Sequence, residues 1–222
     1  MHGVCLDMKG IIFSTPMVQR VLDGTKTMTR RLVRPQPNLK GRYWRCDGIW
    51  GTDDGGDGQF YIEEICSDRE PSERYAAIDK PAYQVGDICY VKETWNVLDK
   101  PNGTQEYLYR AQENVTGAII KDCIAVTVCK WKPSLFMPRA AARIFIRIEE
   151  VGIERLQDIT EEDAMAEGFK PVCCCSPRGN FMNYWDTLYR KDTKKQWDAK
   201  PWVFKYRFKV LTKEELQEVG NE

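Results

Sequence analysis

Residues 201–210 alternate strictly, with Trp202, Phe204, Tyr206 and Phe208 set against Val203, Lys205, Arg207 and Lys209. A period of two places the four aromatics on one face of an extended strand, and so apolar a face has to be covered. Residues 143–150 repeat the pattern, with Ile144, Ile146 and Ile148 on one side. Shorter apolar or alternating runs at 11–13, 88–95, 107–111 and 124–128 read as further strands bounded by turn residues. Helical spacing is confined to a few places. Ser14, Thr15 and Pro16 precede Met17, Val18, Val21 and Leu22, with Gly24 as the stop. Thr160 to Asp163 is an N-cap pattern with acids in the first turn, closed by Gly168, and Asn180 is the candidate cap of a helix carrying Phe181, Tyr184, Trp185 and Leu188. Residues 212–218 read as a short polar helix. Many strands with few helices predict an α+β fold, a small β-barrel with helices at its ends, rather than a parallel α/β sheet.

A chain of 222 residues suits one elaborated domain spanning 1–222. The stretch 36–82 differs in character: the acidic, glycine-rich turn at 51–58 is flanked by Trp44, Trp50, Phe60 and Tyr61. It reads as an insertion of one or two hairpins.

Directly behind the first helix stop comes Gly24-Thr25-Lys26-Thr27-Met28-Thr29-Arg30-Arg31, with three threonines and three cations. Helix ends ordinarily carry one or two cations that satisfy the last carbonyls. Cations interleaved with hydroxyls fit either a strand with a solvated face or a surface for a phosphate, a carbonyl or a nucleobase edge. The octet alone does not separate the two.

The net charge is zero, but it is made of blocks. Residues 1–42 hold eight Lys/Arg and two acids, and 43–80 hold four and ten. Residues 130–148 hold five Lys/Arg and no acid, whereas 149–167 hold eight acids and one Arg. Such blocks either present a basic face to a polyanion or meet in the fold and neutralise one another; the basic face is the reading favoured here. Nine irregularly spaced cysteines do not form a secreted disulfide framework. No apolar run reaches membrane-spanning length, and residues 1–7 lack signal-peptide character. A soluble, cytoplasmic protein with no membrane partner is expected.

Catalytic options are narrow. The single histidine, His2, leaves no Ser/His/Asp arrangement or histidine-based metal site. No phosphate-cradling glycine loop is present, and 51–58 lacks the glutamate that closes a calcium loop. Cys173, Cys174 and Cys175 read as a loop of thiols more readily than as zinc ligands. No cofactor or metal is expected. Any acid–base or nucleophilic work then falls to Lys, Glu, Thr, Tyr or Cys. Glu167, just ahead of the Gly168 stop, stands at the negative end of a helix, so it calls for a cation partner or carries a proton beside one. Glu93 shares a predicted strand face with Cys89, Val91 and Trp95, where a charge must be paired or line a cavity. Trp131 and Met137-Pro138-Arg139 offer a Trp–Arg pair able to stack on a base, although such pairs are more often ordinary packing.

These segments together resemble the ASCH domain family of the PUA-like superfamily, in the larger form common in phage and prophage genes. The resemblance runs through Gly24 to Arg30, Gly86-Asp87 with Val91-Lys92-Glu93-Thr94-Trp95, Met137-Pro138-Arg139 with Arg143, Leu156 to Ala164 with Glu167-Gly168, then Trp185 and Pro201-Trp202-Val203. It implies a PUA-like β-barrel whose basic cleft, lined by the 24–31 segment, binds RNA or a modified nucleoside. Thr27, Arg30, Arg31, Lys92, Glu93, Trp95 and Arg139 are the implied binding residues. Small members include an amidohydrolase that deacetylates N4-acetylcytidine with a Lys, a Thr and a Glu, which on motif position correspond to Lys26, Thr29 and Glu167. Others are described as ribonucleases. In the implied reaction Thr29 attacks the amide carbonyl, Lys26 activates it, and Glu167 carries the proton to the leaving amine. Residues three apart on a regular strand face opposite ways, so Lys26 and Thr29 converge only through a bulge or loop. Binding of RNA or a nucleoside is the leading expectation, metal-independent amidohydrolysis the alternative, and a non-catalytic phage accessory protein the third.

Overall fold

The structure, a computed structural model, describes residues 8–34, 36, 50–51, 60–63, 75–78, 80–99, 103–112, 130–172 and 175–219. The fold is α+β. Five strands form one mixed sheet: β1 (Lys9–Ile12), β6 (Ile88–Lys92), β9 (Phe145–Arg155), β10 (Trp202–Val210) and β2 (Met28–Leu32), hydrogen-bonded in that order. The sheet does not close into a barrel among the described residues, which departs from the predicted small barrel. The β1–β6 pair is parallel, with Lys9 opposite Cys89 and Ile12 opposite Lys92; such a pair needs a long connection, here everything from residue 13 to 87. The 36–82 stretch contributes β3 (Trp50–Gly51), β4 (Phe60–Glu63) and β5 (Tyr75–Ile78), a separate three-stranded antiparallel sheet. The predicted turn at 52–58 and the predicted strand at 124–128 lie outside the described residues.

The chain divides into two compact units. The first comprises Met1–Lys26, Gly86–Arg147 and Lys209–Glu222. Its helix α1 (Thr15–Leu22) buries Met17, Val18 and Val21, the positions its spacing predicts. Gly24, at φ +76°, takes the left-handed conformation that ends the helix. The run 88–95, read as one strand, is two: β6 ends at Lys92, and β7 (Trp95–Asp99) starts a hairpin with β8 (Gln105–Tyr109), pairing Trp95 with Tyr109. Glu93 therefore leaves the regular strand, and the period-two face assigned to it does not apply. Short 3-10 turns at Ser134–Phe136 and Arg139–Ala141 follow. The unit ends in a helix, α4 (Lys213–Val219), entered through a reciprocal cap: Thr212 Oγ1 accepts from the Glu215 N–H, and Glu215 Oε2 from the Thr212 N–H.

The second unit comprises Thr27–Val85 and Ile148–Phe208. Within it β2 pairs with β10 in unbroken antiparallel register from Met28 opposite Arg207 to Leu32 opposite Val203. Trp202, Phe204, Tyr206 and Phe208 are all buried, as alternation predicts; burial of each such ring contributes roughly 1.5–3 kcal/mol. Val203 is buried too, so the start of β10 is covered on both faces. Helix α2 (Glu161–Ala166) is capped by Thr160 and stopped at Gly168, at φ +92°. Helix α3 (Pro177–Leu188) packs its Phe181 edge-on to Phe169, with ring centroids 5.6 Å apart. Its cap is Ser176, whose Oγ accepts from the Gly179 N–H at 3.2 Å, not Asn180. Asn180 lies inside the first turn and instead donates to the Lys170 carbonyl. Among the described residues no helix is long and apolar enough to cross a membrane.

Candidate functional site

The 24–31 octet is not a solvated strand face. Lys26, Met28, Thr29 and Arg30 are buried, Arg31 is half-buried and only Thr27 is exposed among the five residues from 27 onward. Regular pairing begins at Met28, so Lys26 precedes the strand and is not held to its alternation with Thr29. The octet's first threonine is absorbed locally. Thr25 Oγ1 donates to Asp23 Oδ1 and its N–H to the same oxygen at 2.9 Å, closing the turn behind Gly24.

In the first unit the Lys26 backbone N–H donates to the Arg20 carbonyl at 2.8 Å, and its ammonium stands 5.5 Å from the centroid of the Phe13 ring. Only 2% of Lys26 is exposed. Glu93, 1% exposed, receives a two-pronged ion pair from Arg143, Nε to Oε1 at 2.8 Å and Nη2 to Oε2 at 2.9 Å. The guanidinium lies 4.1 Å from the Tyr109 ring centroid, and the Tyr109 hydroxyl donates to the Ala141 carbonyl. Burial pushes the Tyr109 phenol up, against the lowering effect of Arg143. Trp95 packs with Tyr109, Met137 and Ala141, and the Lys132 ammonium covers its ring at 4.8 Å. Lys92 donates to the Leu135 carbonyl at 2.6 Å. Arg139 is exposed on its turn.

In the second unit Arg30 is the centre of an ion network. Its Nε donates to Glu154 at 2.6 Å, Nη2 to Asp163 at 2.5 Å and Nη1 to Glu167 at 3.4 Å. Lys205 adds a second cation, 3.4 Å from Glu154. Burial alone would lower the Arg30 pKa, but Glu167, Glu154 and Asp163 outweigh it and hold the guanidinium above its ordinary value. Glu167, 3% exposed, thus has the cation that its place at the C-cap of α2 calls for. Thr27 links the same region through its backbone: its N–H donates to the Ala166 carbonyl, and its carbonyl accepts from Phe208. Thr29 and Arg30 are neighbours on a regular strand, so Thr29 projects to the face opposite the guanidinium.

Sequence reasoning missed three members of these clusters. Glu154 and Lys205 sit on long strands with no local signal, and Asp163 reads only as a helix first-turn acid. Arg143 was part of the motif, but nothing local ties it to Glu93. His2, Cys173 and Cys174 lie outside the described residues; Cys175 is half-buried, and no group of metal-ligating side chains occurs among the described residues. Compared with known proteins, the chain matches no family model, no curated protein and no solved structure.

Proposed function

We propose that this is an ASCH-type, PUA-like protein of phage or prophage kind that binds RNA or a modified nucleoside in a basic cleft. One observation carries the reading. Among the described residues six polar or charged side chains are buried, Lys26, Thr29, Arg30, Glu93, Asn96 and Glu167, and five of them are the residues the motifs single out. Burying charge is costly, and a chain keeps such groups where they are paired or needed for binding and chemistry. Pairing accounts for Arg30, Glu93 and Glu167. On the family resemblance Lys26 and Thr29 are the members assigned to the ligand, with Arg139 and Lys92 supplying positive charge.

Anisotropy of a labelled single-stranded RNA tests the binding. Affinity is expected to fall steeply with added salt and to drop in Arg139→Ala, an exposed position that leaves the core intact. Salt-insensitive or undetectable binding returns the protein to the accessory class. Amidohydrolysis is the second reading; it rests on the family resemblance of Lys26, Thr29 and Glu167, and Thr29 projects away from the Arg30 guanidinium that holds Glu167. Incubation with N4-acetylcytidine and chromatography for cytidine is the assay; turnover lost in Thr29→Val and Glu167→Gln is expected, and no product from the wild type across a pH series sinks it.

A further inference from the structure

Phe136 is the most exposed of the large apolar side chains described, at 70%, and its neighbour Leu135 is 58% exposed. A ring on a loose loop would fold back onto the surface. This one is held out. Its turn is closed by the Phe136 N–H on the Pro133 carbonyl and the Met137 N–H on that of Ser134, both at 3.1 Å. Lys92 fastens the Leu135 carbonyl from β6. On the far side Met137 is buried, and its sulfur accepts from the Glu93 N–H at 3.2 Å. On the near side Lys132 exchanges both backbone hydrogen bonds with Trp95, at 3.3 and 2.8 Å. Pro133 and Pro138 stiffen the two flanks. The charge around the ring is one-sided: 130–143 holds Lys130, Lys132, Arg139 and Arg143 and no acid. Arg143 is engaged by Glu93, while Lys130, Lys132 and Arg139 are exposed.

We propose that the 134–136 turn is a stacking shelf for single-stranded RNA, with Phe136 under an unstacked base and Lys130, Lys132 and Arg139 meeting the flanking phosphates. The proposal rests on the RNA reading above and adds a second contact to it. A rigid aromatic face with cations on both sides is what a flexible polyanion with free base faces requires. A duplex has no free base face to offer. A membrane surface needs a longer apolar face than two adjacent side chains on a three-residue turn.

The test is anisotropy with the full chain and a labelled mixed-sequence single-stranded RNA, alongside the matching duplex, single-stranded DNA of the same sequence, and phosphatidylserine vesicles. Phe136→Ala is expected to weaken single-stranded RNA about 5- to 150-fold, the range of one base–aromatic stack, with Phe136→Trp restoring it. Lys132→Gln should lower the salt dependence, and duplex affinity should not respond to Phe136. If Phe136→Ala binds single-stranded RNA as the wild type does while Arg139→Ala does not, the shelf is wrong and the RNA reading survives. If the wild type binds no RNA, both fall. Equal, Phe136-dependent binding of DNA overturns the assignment to RNA. Vesicle binding without RNA binding, or a Phe136-dependent dimer in sedimentation, assigns the ring to a membrane or to a second copy instead.

Discussion

Arg30 carries a full charge in a side chain that is 0% exposed, and it persists there because three carboxylates and a nearby sulfur take up its donors. A buried pair adds little net stability over an apolar substitute, yet removing one partner strands the others. Arg30→Ala removes the cation that Glu154, Asp163 and Glu167 share, with Lys205 remaining beside the first two, so a loss of about 3–5 kcal/mol is expected in urea unfolding. A loss below about 1 kcal/mol, the range of exposed pairs, would show that water already reaches the network. Lys26, the other fully buried cation of the octet, has its ammonium 5.5 Å from the centroid of the Phe13 ring.

At the scale of elements, caps and stops decide where the polar groups stand. Helix α2 is only six residues long, too short to persist without its ends being satisfied. Thr160 Oγ1 accepts from the Asp163 N–H at 3.1 Å, and the left-handed Gly168 closes the other end. Thr160→Ala is expected to cost about 1 kcal/mol, read from the urea midpoint at unchanged slope. It should also raise hydrogen exchange at Glu167 and Gly168, since Asp163 and Glu167 are both anchored through this helix; unchanged exchange there would show that Arg30 alone holds it. The break of 88–95 into two strands has the same logic: the chain leaves the sheet at Glu93 so that its carboxylate can meet Arg143.

Over the whole molecule, the charge blocks are settled in two ways. Acids of 149–167 are drawn onto Arg30, Lys205 and Arg207, so that much of the basic–acidic contrast cancels internally. The 130–148 block is different: Arg143 is drawn onto Glu93, and Lys130, Lys132 and Arg139 stand on the surface. Alkaline stability is also a property of the whole fold. Burial pushes the Cys89 thiol from 9.0 to about 12, helped by Asp87, and pushes the Tyr206 phenol from 10.0 to about 12. Both groups hold their protons in the folded state after the unfolded chain has begun to release them. Their stabilisation is complete below about pH 9 and is lost as the pH rises towards about 12. The melting temperature should therefore fall across that window, and Cys89→Val should flatten its first part; an identical slope in the variant would mean that Cys89 titrates as a solvated thiol.

Short-range periodicity and punctuation are enough to specify several elements. The β10 aromatic face, the α1 stripe with its Gly24 stop and the Thr160-capped α2 were all readable, because each is decided by neighbours within a turn or two. Helix α3 starts one turn earlier than expected because Ser176-Pro177 and Asn180 are both competent openings, and Ser176 is the one that caps it. Five of the buried polar residues were also legible as types, since Lys26, Thr29, Arg30, Glu93 and Glu167 stand out against their local patterns. Their partners come from long-range pairing. Arg30 meets Glu154 across 124 residues and Glu167 across 137, and Glu93 meets Arg143 across 50. Separations of that length are set by strand order and register, which no local pattern encodes, and that is why the octet's solvated-face reading failed while its chemical composition was read correctly.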